Sequence, residues 1–484
     1  MEIQKTWSDY QKAIFKNIAK ESGHLIVEAF AGAAKSTTLV ESIKYVPKGK
    51  KVLTLAFNKI IQEELRNKIG NRMNVETFTF HALGFRAIKQ NFGGVELNDN
   101  KCFETIQGII GKDKDQFDLA NNLNQTVKFC KACLVDTPKA ISEIIARFDI
   151  DICDLEEDKF IGIVIKTLGE TKKQKFAIDY NDMVWFPFIH NMNVGKYDYV
   201  YVDEYQDLNK AQLIMAKSAL KPDGRLIIVG DMYQGIYSWN GADNTVVESL
   251  RQDNRTKKLP LPISYRCPKK IIDLAKNWTK DITCPETAKE GSIEKITYDQ
   301  IFSKVTPGCF ILSRLNAPLI KLCMKLIKVG KKANIRGRDV GNNLDYMIRR
   351  SKKKTTKDFI KWLDTWKIAE IYRLKSKGIP IDSVLDKVEC LITLCEDCTT
   401  LKEVQLKIKE LFNDDDKTNI IWLSSVHKCK GLESDSVFIL DWTLRHNLNI
   451  PLFGEADPSN EEANIAYIAA TRSKNKLFYV SKAV

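Results

Sequence analysis

Two short stretches of this chain carry the residue types that phosphate chemistry needs. Ala29-Phe30-Ala31-Gly32-Ala33-Ala34-Lys35-Ser36-Thr37 is a small-residue loop ending in a lysine and two hydroxyls, and Asp203-Glu204-Tyr205-Gln206-Asp207 brings three acids and a glutamine. Where such a loop follows a strand and opens a helix, backbone N–H groups and the helix N-terminus cradle phosphates. Lys35 then neutralises the β/γ-phosphates and Ser36 can ligate magnesium. In the acidic stretch, Asp203 can hold the same ion while Glu204 orients a water as general base. The loop meets the pattern G-x-x-x-x-G-K-[ST] only in part, because Ala29 and Ala34 stand where glycines are expected. If position 34 needs a positive φ, alanine there costs on the order of 1 kcal/mol. Acids also cap strands and helices, so the box is specific only in combination with the loop upstream and arginines downstream.

The elements that would position these groups follow from hydrophobic pattern. Apolar strands are expected at His24 to Ala29, Lys51 to Ala56, Tyr197 to Val202 and Arg225 to Val229, with helices after Lys35 and from Lys59 to Ile69. Between residues 91 and 175 the strand pattern stops, and Phe117 to Leu134 and Ala140 to Phe148 have helical spacing. The second half repeats this plan. Strands at Cys309 to Leu312, Ile420 to Leu423, Ser436 to Leu440 and Lys476 to Val480 bracket the helical segments Lys357 to Lys377 and Leu401 to Phe412, and Asp414-Asp415-Asp416 marks the return loop. The expected fold is α/β: two parallel-sheet domains, each with a helical insertion. The divisions are 1–90 plus 176–250 for the first domain, 91–175 for its insertion, 251–339 plus 419–484 for the second domain, and 340–418 for a short basic insertion.

At 484 residues, one hydrophobic core is not expected to suffice. A net charge of +13 favours a polyanionic partner such as nucleic acid. Met1 to Gln11 is polar, with no run suited to a signal peptide or membrane span, so an intracellular protein without membrane attachment is expected. Cys130-x-x-Cys133 and Cys395-x-x-Cys398 invite a metal reading. The pairs are far apart and no histidine lies near them at ligand spacing, so reduced thiols are preferred.

A further buried strand, Leu226-Ile227-Ile228-Val229, ends in Gly230-Asp231 and leads to Gln234, within reach of a γ-phosphate, and to Tyr237 and Trp239. An aromatic pair is ordinarily core. Beyond a nucleotide site in a basic chain, these two read as stacking platforms for bases. Taken together, the motifs resemble the UvrD/PcrA/Rep branch of superfamily 1 DNA helicases, in order along the whole chain. Gln11 matches the glutamine that reads adenine. Ala56-Phe57-Asn58-Lys59 and Thr79-Phe80-His81 match segments that grip single-stranded DNA, and Asn209 and Gln212 continue the acid-box pattern. Tyr265-Arg266 resembles the adenine-stacking tyrosine and first arginine finger. Ser425-Val426-His427-Lys428-Cys429-Lys430-Gly431-Leu432-Glu433 resembles the segment that contacts DNA and the nucleotide sugar. Glu461-Glu462 and Tyr467 to Arg472 resemble the last motif, with Arg472 as second finger.

The resemblance implies two RecA-like domains with ATP and Mg2+ in the cleft between them. It also implies DNA-stimulated hydrolysis that drives movement along single-stranded DNA, 3′ to 5′, with duplex junctions as substrates and a monomer as the working form. The alternatives are a nucleotide-gated DNA-binding protein with impaired hydrolysis, or the motor subunit of a helicase–nuclease complex. No acidic nuclease cluster follows Arg472, so a nuclease would be a separate chain. Two departures stand out besides the loop alanines. Asn240 follows Trp239 where the family carries arginine, which should weaken coupling between nucleotide and DNA. The run Arg349-Arg350-Ser351-Lys352-Lys353-Lys354 is either a solvated face or a grip on duplex phosphates, whereas Trp362 and Trp366, four apart, read as core. His81 and His427, two of five histidines, fall in DNA-side motifs and are read as strand contacts.

Overall fold

The computed structural model describes residues 6–70, 72–112, 116–148, 150–153, 155–236, 244–375, 381–412, 419–444 and 461–482. The chain divides into two compact units, Met1–Pro262 and Ile263–Val484.

The first unit contains β1 (His24–Ala29), β2 (Val52–Ala56), β3 (Val75–Thr79), β4 (Glu96–Leu97), β5 (Ala177–Ile178), β6 (Tyr197–Asp203), β7 (Leu220–Gly230) and β8 (Thr256–Leu261). Six of them form a sheet in the order β3-β2-β6-β7-β1-β8, and every pairing is parallel. The apolar runs are buried on both faces, so side-chain alternation sorts neighbours into different cores. Val200, Val202, Ile228, Leu53 and Ile26 pack with the helices of the insertion. Tyr199, Tyr201, Ile227, Val229 and Val27 pack with the helices Asp9–Lys20 and Lys35–Ser42 on the opposite face.

The first insertion consists of helices Lys101–Ile110, Phe117–Cys133, Pro138–Arg147 and Glu157–Lys173. It is fastened through buried charge. Asp179 and Asp182 form a capping box at the start of helix Tyr180–Ile189. Lys101 Nζ donates to Asp182 at 2.7 Å, and Lys131 Nζ donates to Asp179 at 3.0 Å and Asp182 at 2.7 Å. Burial lowers the Lys101 ammonium despite its carboxylate, whereas at Lys131 the two carboxylates overcome burial and raise it.

The second unit contains β9 (Ser292–Thr297), β10 (Phe310–Ser313), β11 (Ala333–Arg336), β12 (Ile421–Ser425), β13 (Ser434–Leu440) and β14 (Ser473–Ser481), paired in parallel in the order β11-β12-β10-β13-β14-β9. Its insertion comprises helices Arg338–Ser351, Thr356–Lys375, Asp382–Cys395 and Leu401–Leu411. These share one core with the sheet: Leu344, Phe359, Leu391 and Ile408 lie in the same cluster as Ile311, Leu423 and Phe438. Trp362 and Trp366 pack against that core. Asp386 of the insertion accepts the backbone N–H groups of Asn316 at 3.0 Å and Ala317 at 2.8 Å, capping helix Ala317–Lys328 of the domain proper.

One boundary read from the sequence is corrected. Residues 251–262 belong to the first unit, because β8 pairs with β1 along its whole length and completes the first sheet. The expected return loop Asp414-Asp415-Asp416 lies outside the described residues.

Candidate active site

The phosphate-loop sequence leaves β1 at Ala29 and enters helix Lys35–Ser42. Ala34 adopts the left-handed conformation, φ 57°, ψ 39°, as does Gly32 with φ 74°. Position 34 does need a positive φ, and the alanine carries the strain that a glycine would not. Ala34 contributes no side-chain cap to the helix. Its carbonyl accepts the Thr38 hydroxyl at 2.9 Å, and Thr38 in turn accepts Gln11 Nε2 at 2.9 Å. Gln11 is buried, and its Oε1 accepts the N–H of Ser8 at 3.0 Å in a capping box that starts the first helix. The structure thus places Gln11 as a tie between that helix and the loop.

Two parallel strands, β6 and β7, end beside the loop and deliver carboxylates there. Ser36 Oγ donates to Asp203 Oδ2 at 3.0 Å, from the end of β6. Lys35 Nζ lies 3.2 Å from Glu204 Oε2. Glu204 is itself left-handed, φ 55°, where the chain leaves β6. Asp231, just past β7, accepts Gln234 Nε2 at 2.7 Å. The electrostatics follow from these charges crowded into a dry site. Burial, and then the neighbouring Glu204, push the Asp203 carboxyl up to about 7, against the pull of Lys35 and Ser36. Burial also raises Asp231, against the pull of Lys35 and Gln234. Burial alone would lower Lys35, but Glu204, Asp231 and Asp203 overcome it and hold the ammonium above its ordinary value. Two hard oxygen donors, Ser36 Oγ and Asp203 Oδ2, stand side by side and suit magnesium, with phosphate and water to complete its shell. Asn209 and Gln212 make a capping box for helix Lys210–Ser218, which explains their place after the acid box.

The residues read as DNA grips lie at the same end of the sheet. Phe57 is half-buried after β2. Asn58 caps helix Lys59–Ile69, accepting the Ile61 N–H at 2.9 Å, and Thr79 caps helix Phe80–Phe92, accepting the Ala82 N–H at 3.1 Å. Both therefore serve the fold as helix caps. Burial lowers the His81 imidazole below its ordinary value, so it is neutral at pH 7. Tyr237, Trp239 and Asn240 lie outside the described residues. One aromatic escaped the sequence reading. Tyr180, 52% exposed, meets His81 edge-on at 6.2 Å between ring centres. Its signal was the Asp179-Tyr180-Asn181-Asp182 box that opens an apolar run.

In the second unit, Tyr265 is exposed and Arg266 Nε donates to Glu433 Oε2 at 2.5 Å. Arg472 is buried, with Nε on the Ile468 carbonyl at 3.1 Å and Nη1 on the Leu432 carbonyl at 3.2 Å. Burial, with Arg266 adding to it, lowers Arg472 from its ordinary value. Ser425 ends β12, and His427 Nε2 stands 3.9 Å from Glu461. Arg314, at the end of β10, pairs with Glu462 through both Nε at 3.0 Å and Nη2 at 2.9 Å, a fork the sequence reading did not anticipate.

Comparison with known proteins shows the family of the chain. The family described as UvrD/REP helicase N-terminal domain matches residues 10–255, and that described as UvrD-like helicase C-terminal domain matches residues 367–483. The chain is similar to the ATP-dependent DNA helicase PcrA of Bacillus subtilis (strain 168), 24% identical over 288 residues that cover 54% of this chain and 38% of the relative. It is 26% identical over 285 residues to PcrA of Staphylococcus aureus (strain Mu50 / ATCC 700699), covering 54% and 38%. It is 24% identical over 282 residues to the ATP-dependent DNA helicase Rep of Buchnera aphidicola subsp. Acyrthosiphon pisum (strain APS), covering 52% and 42%. The chain thus spans about two fifths of the length of these curated relatives.

Proposed function

The chain belongs to the UvrD/REP helicase family, and from that premise we propose that it is an ATP-dependent DNA helicase or translocase that moves 3′ to 5′ along single-stranded DNA inside the cell. The observation that supports this best is the convergence of Lys35, Ser36, Asp203, Glu204 and the Asp231–Gln234 pair at one end of the first sheet.

Phosphoryl transfer to water needs positioning and charge neutralisation more than covalent chemistry. In this reading Lys35 leaves Glu204 for the β/γ-phosphates, Ser36 and Asp203 hold magnesium, and Glu204 orients the attacking water and takes its proton. The ion, when bound there, neutralises phosphate charge. Gln234 senses the γ-phosphate from the end of β7. From the second unit, Arg266 and Arg472 supply the remaining positive charge, Tyr265 stacks on adenine and Glu433 binds the sugar. Gln11, Phe30, Ala31, Gly32, Ala33 and Thr37 line the nucleotide. The strand is gripped by Phe57, Asn58, Thr79, His81, Tyr237, Trp239, Ser425 and His427.

ATP turnover measured with single-stranded DNA, RNA and duplexes bearing tails of each polarity tests the proposal. Turnover stimulated by DNA, with unwinding of the 3′-tailed duplex, is expected. Tight ATP binding without turnover would select a nucleotide-gated DNA-binding protein instead.

A further inference from the structure

Gln206 lies in the acid box, yet it is neither an acid nor a ligand to the nucleotide in the reading above. Its side chain is 2% exposed and both ends of its carboxamide are engaged. Oε1 accepts the backbone N–H of Asp231 at 3.0 Å, and Nε2 donates to Glu204 Oε2 at 2.5 Å. The first bond fixes the orientation of the second. A backbone N–H can only donate, so the oxygen must face Asp231 and the NH2 group must face Glu204.

The surroundings are shaped for this bridge. A Cβ at Gly230 would fall 2.3 Å from Gln206 Oε1 and 2.7 Å from Tyr205 Cδ1, so β7 can end this close to the carboxamide only because residue 230 is glycine. Glu204 sits on a left-handed backbone, and the same carboxylate oxygen, Oε2, faces both Lys35 Nζ and Gln206 Nε2. On the far side, Asp231 accepts the Tyr233 N–H through Oδ1 and Gln234 Nε2 through Oδ2. A continuous chain of hydrogen bonds therefore runs Gln234–Asp231–Gln206–Glu204, from the turn after β7 to the end of β6.

We infer that Gln206 is a positioning residue that holds the Glu204 carboxylate in place for hydrolysis and ties it to the turn that carries Gln234; this rests on the hydrolytic role proposed for Glu204. When phosphate draws Lys35 away, Gln206 still donates to Oε2. A shift of the Gln234 turn reaches Glu204 through the Asp231 N–H, so nucleotide sensing and water activation are mechanically joined.

Two near-isosteric variants of the full chain test this. Gln206→Met removes both hydrogen bonds. Gln206→Glu keeps an acceptor for Asp231 but sets a second carboxyl against Glu204 in place of the N–H donor. Steady-state ATP turnover with oligothymidylate should show kcat reduced at least about tenfold in both variants, the scale expected when a catalytic group is displaced by a fraction of an ångström. The KM for ATP and the affinity for a non-hydrolysed ATP analogue should stay within about twofold, a split that general loosening of the fold would not produce. Combining Gln206→Met with Gln234→Ala should cost less than the product of the single losses, because both break one chain. Unchanged kcat in Gln206→Met, a KM that rises in step with the loss, or fully multiplicative losses would overturn the inference while leaving the hydrolytic reading intact. A parent protein that binds the analogue and shows no turnover overturns both.

Discussion

Ala34 is held in a backbone region that glycine occupies without strain. Ala34→Gly should therefore raise stability by about 1 kcal/mol, read as an upward shift of the urea midpoint at unchanged slope. A lower midpoint would mean that the packing of the alanine methyl outweighs the strain. Lys35, Ser36, Asp203 and Glu204, which the structure brings together, were legible in the sequence, because lysine, hydroxyl and carboxylate at strand ends announce phosphate chemistry. Their present partners were not. That Lys35 is paired with Glu204, that Gln11 reaches Thr38, and that Gln206 reaches Asp231 depend on contacts between segments distant in sequence.

Among the elements, the two insertions are anchored differently, and each anchor can be cut. Lys131 neutralises Asp179 and Asp182 where no water reaches. Lys131→Met should lower the stability of the first unit by about 3–5 kcal/mol, since it strands buried carboxylate charge; a loss below about 1 kcal/mol in chemical unfolding would mean that the pair contributes little beyond its packing. Asp386 caps helix Ala317–Lys328 from the second insertion, and Asp386→Ala should cost about 1–2 kcal/mol, measured in the same way. An unchanged midpoint would show that water replaces the cap. The central strands were readable as unbroken apolar runs. Of the described strands that escaped the sequence reading, β3, β8, β9 and β11 lie at the edges of the two six-stranded sheets, and the two-residue β4 and β5 pair only with each other. Edge strands such as Thr256–Leu261 and Ser292–Thr297 mix lysine and glutamate with apolar residues because one side remains wet, so no continuous run marks them. That is also why the domain boundary was placed before β8 instead of after it.

At the scale of the whole molecule, a net charge of +13 makes salt dependence a direct readout of how many phosphates the protein neutralises. Arg350, Lys352, Lys353 and Lys354 are exposed where helix Arg338–Ser351 ends. Replacing all four with serine should weaken duplex binding and flatten the plot of log affinity against log salt by about 0.9 for each phosphate that is no longer neutralised. An unchanged slope would assign the run to a solvated face. The central claim, that Glu204 drives hydrolysis coupled to DNA, is tested most directly by ATP turnover of the parent and of Glu204→Gln, each with and without single-stranded DNA. The parent should turn over faster with DNA, and the variant should lose at least about 100-fold in kcat while still binding ATP. A parent that binds ATP without hydrolysing it in the presence of DNA, or a variant that turns over as fast as the parent, would contradict the account.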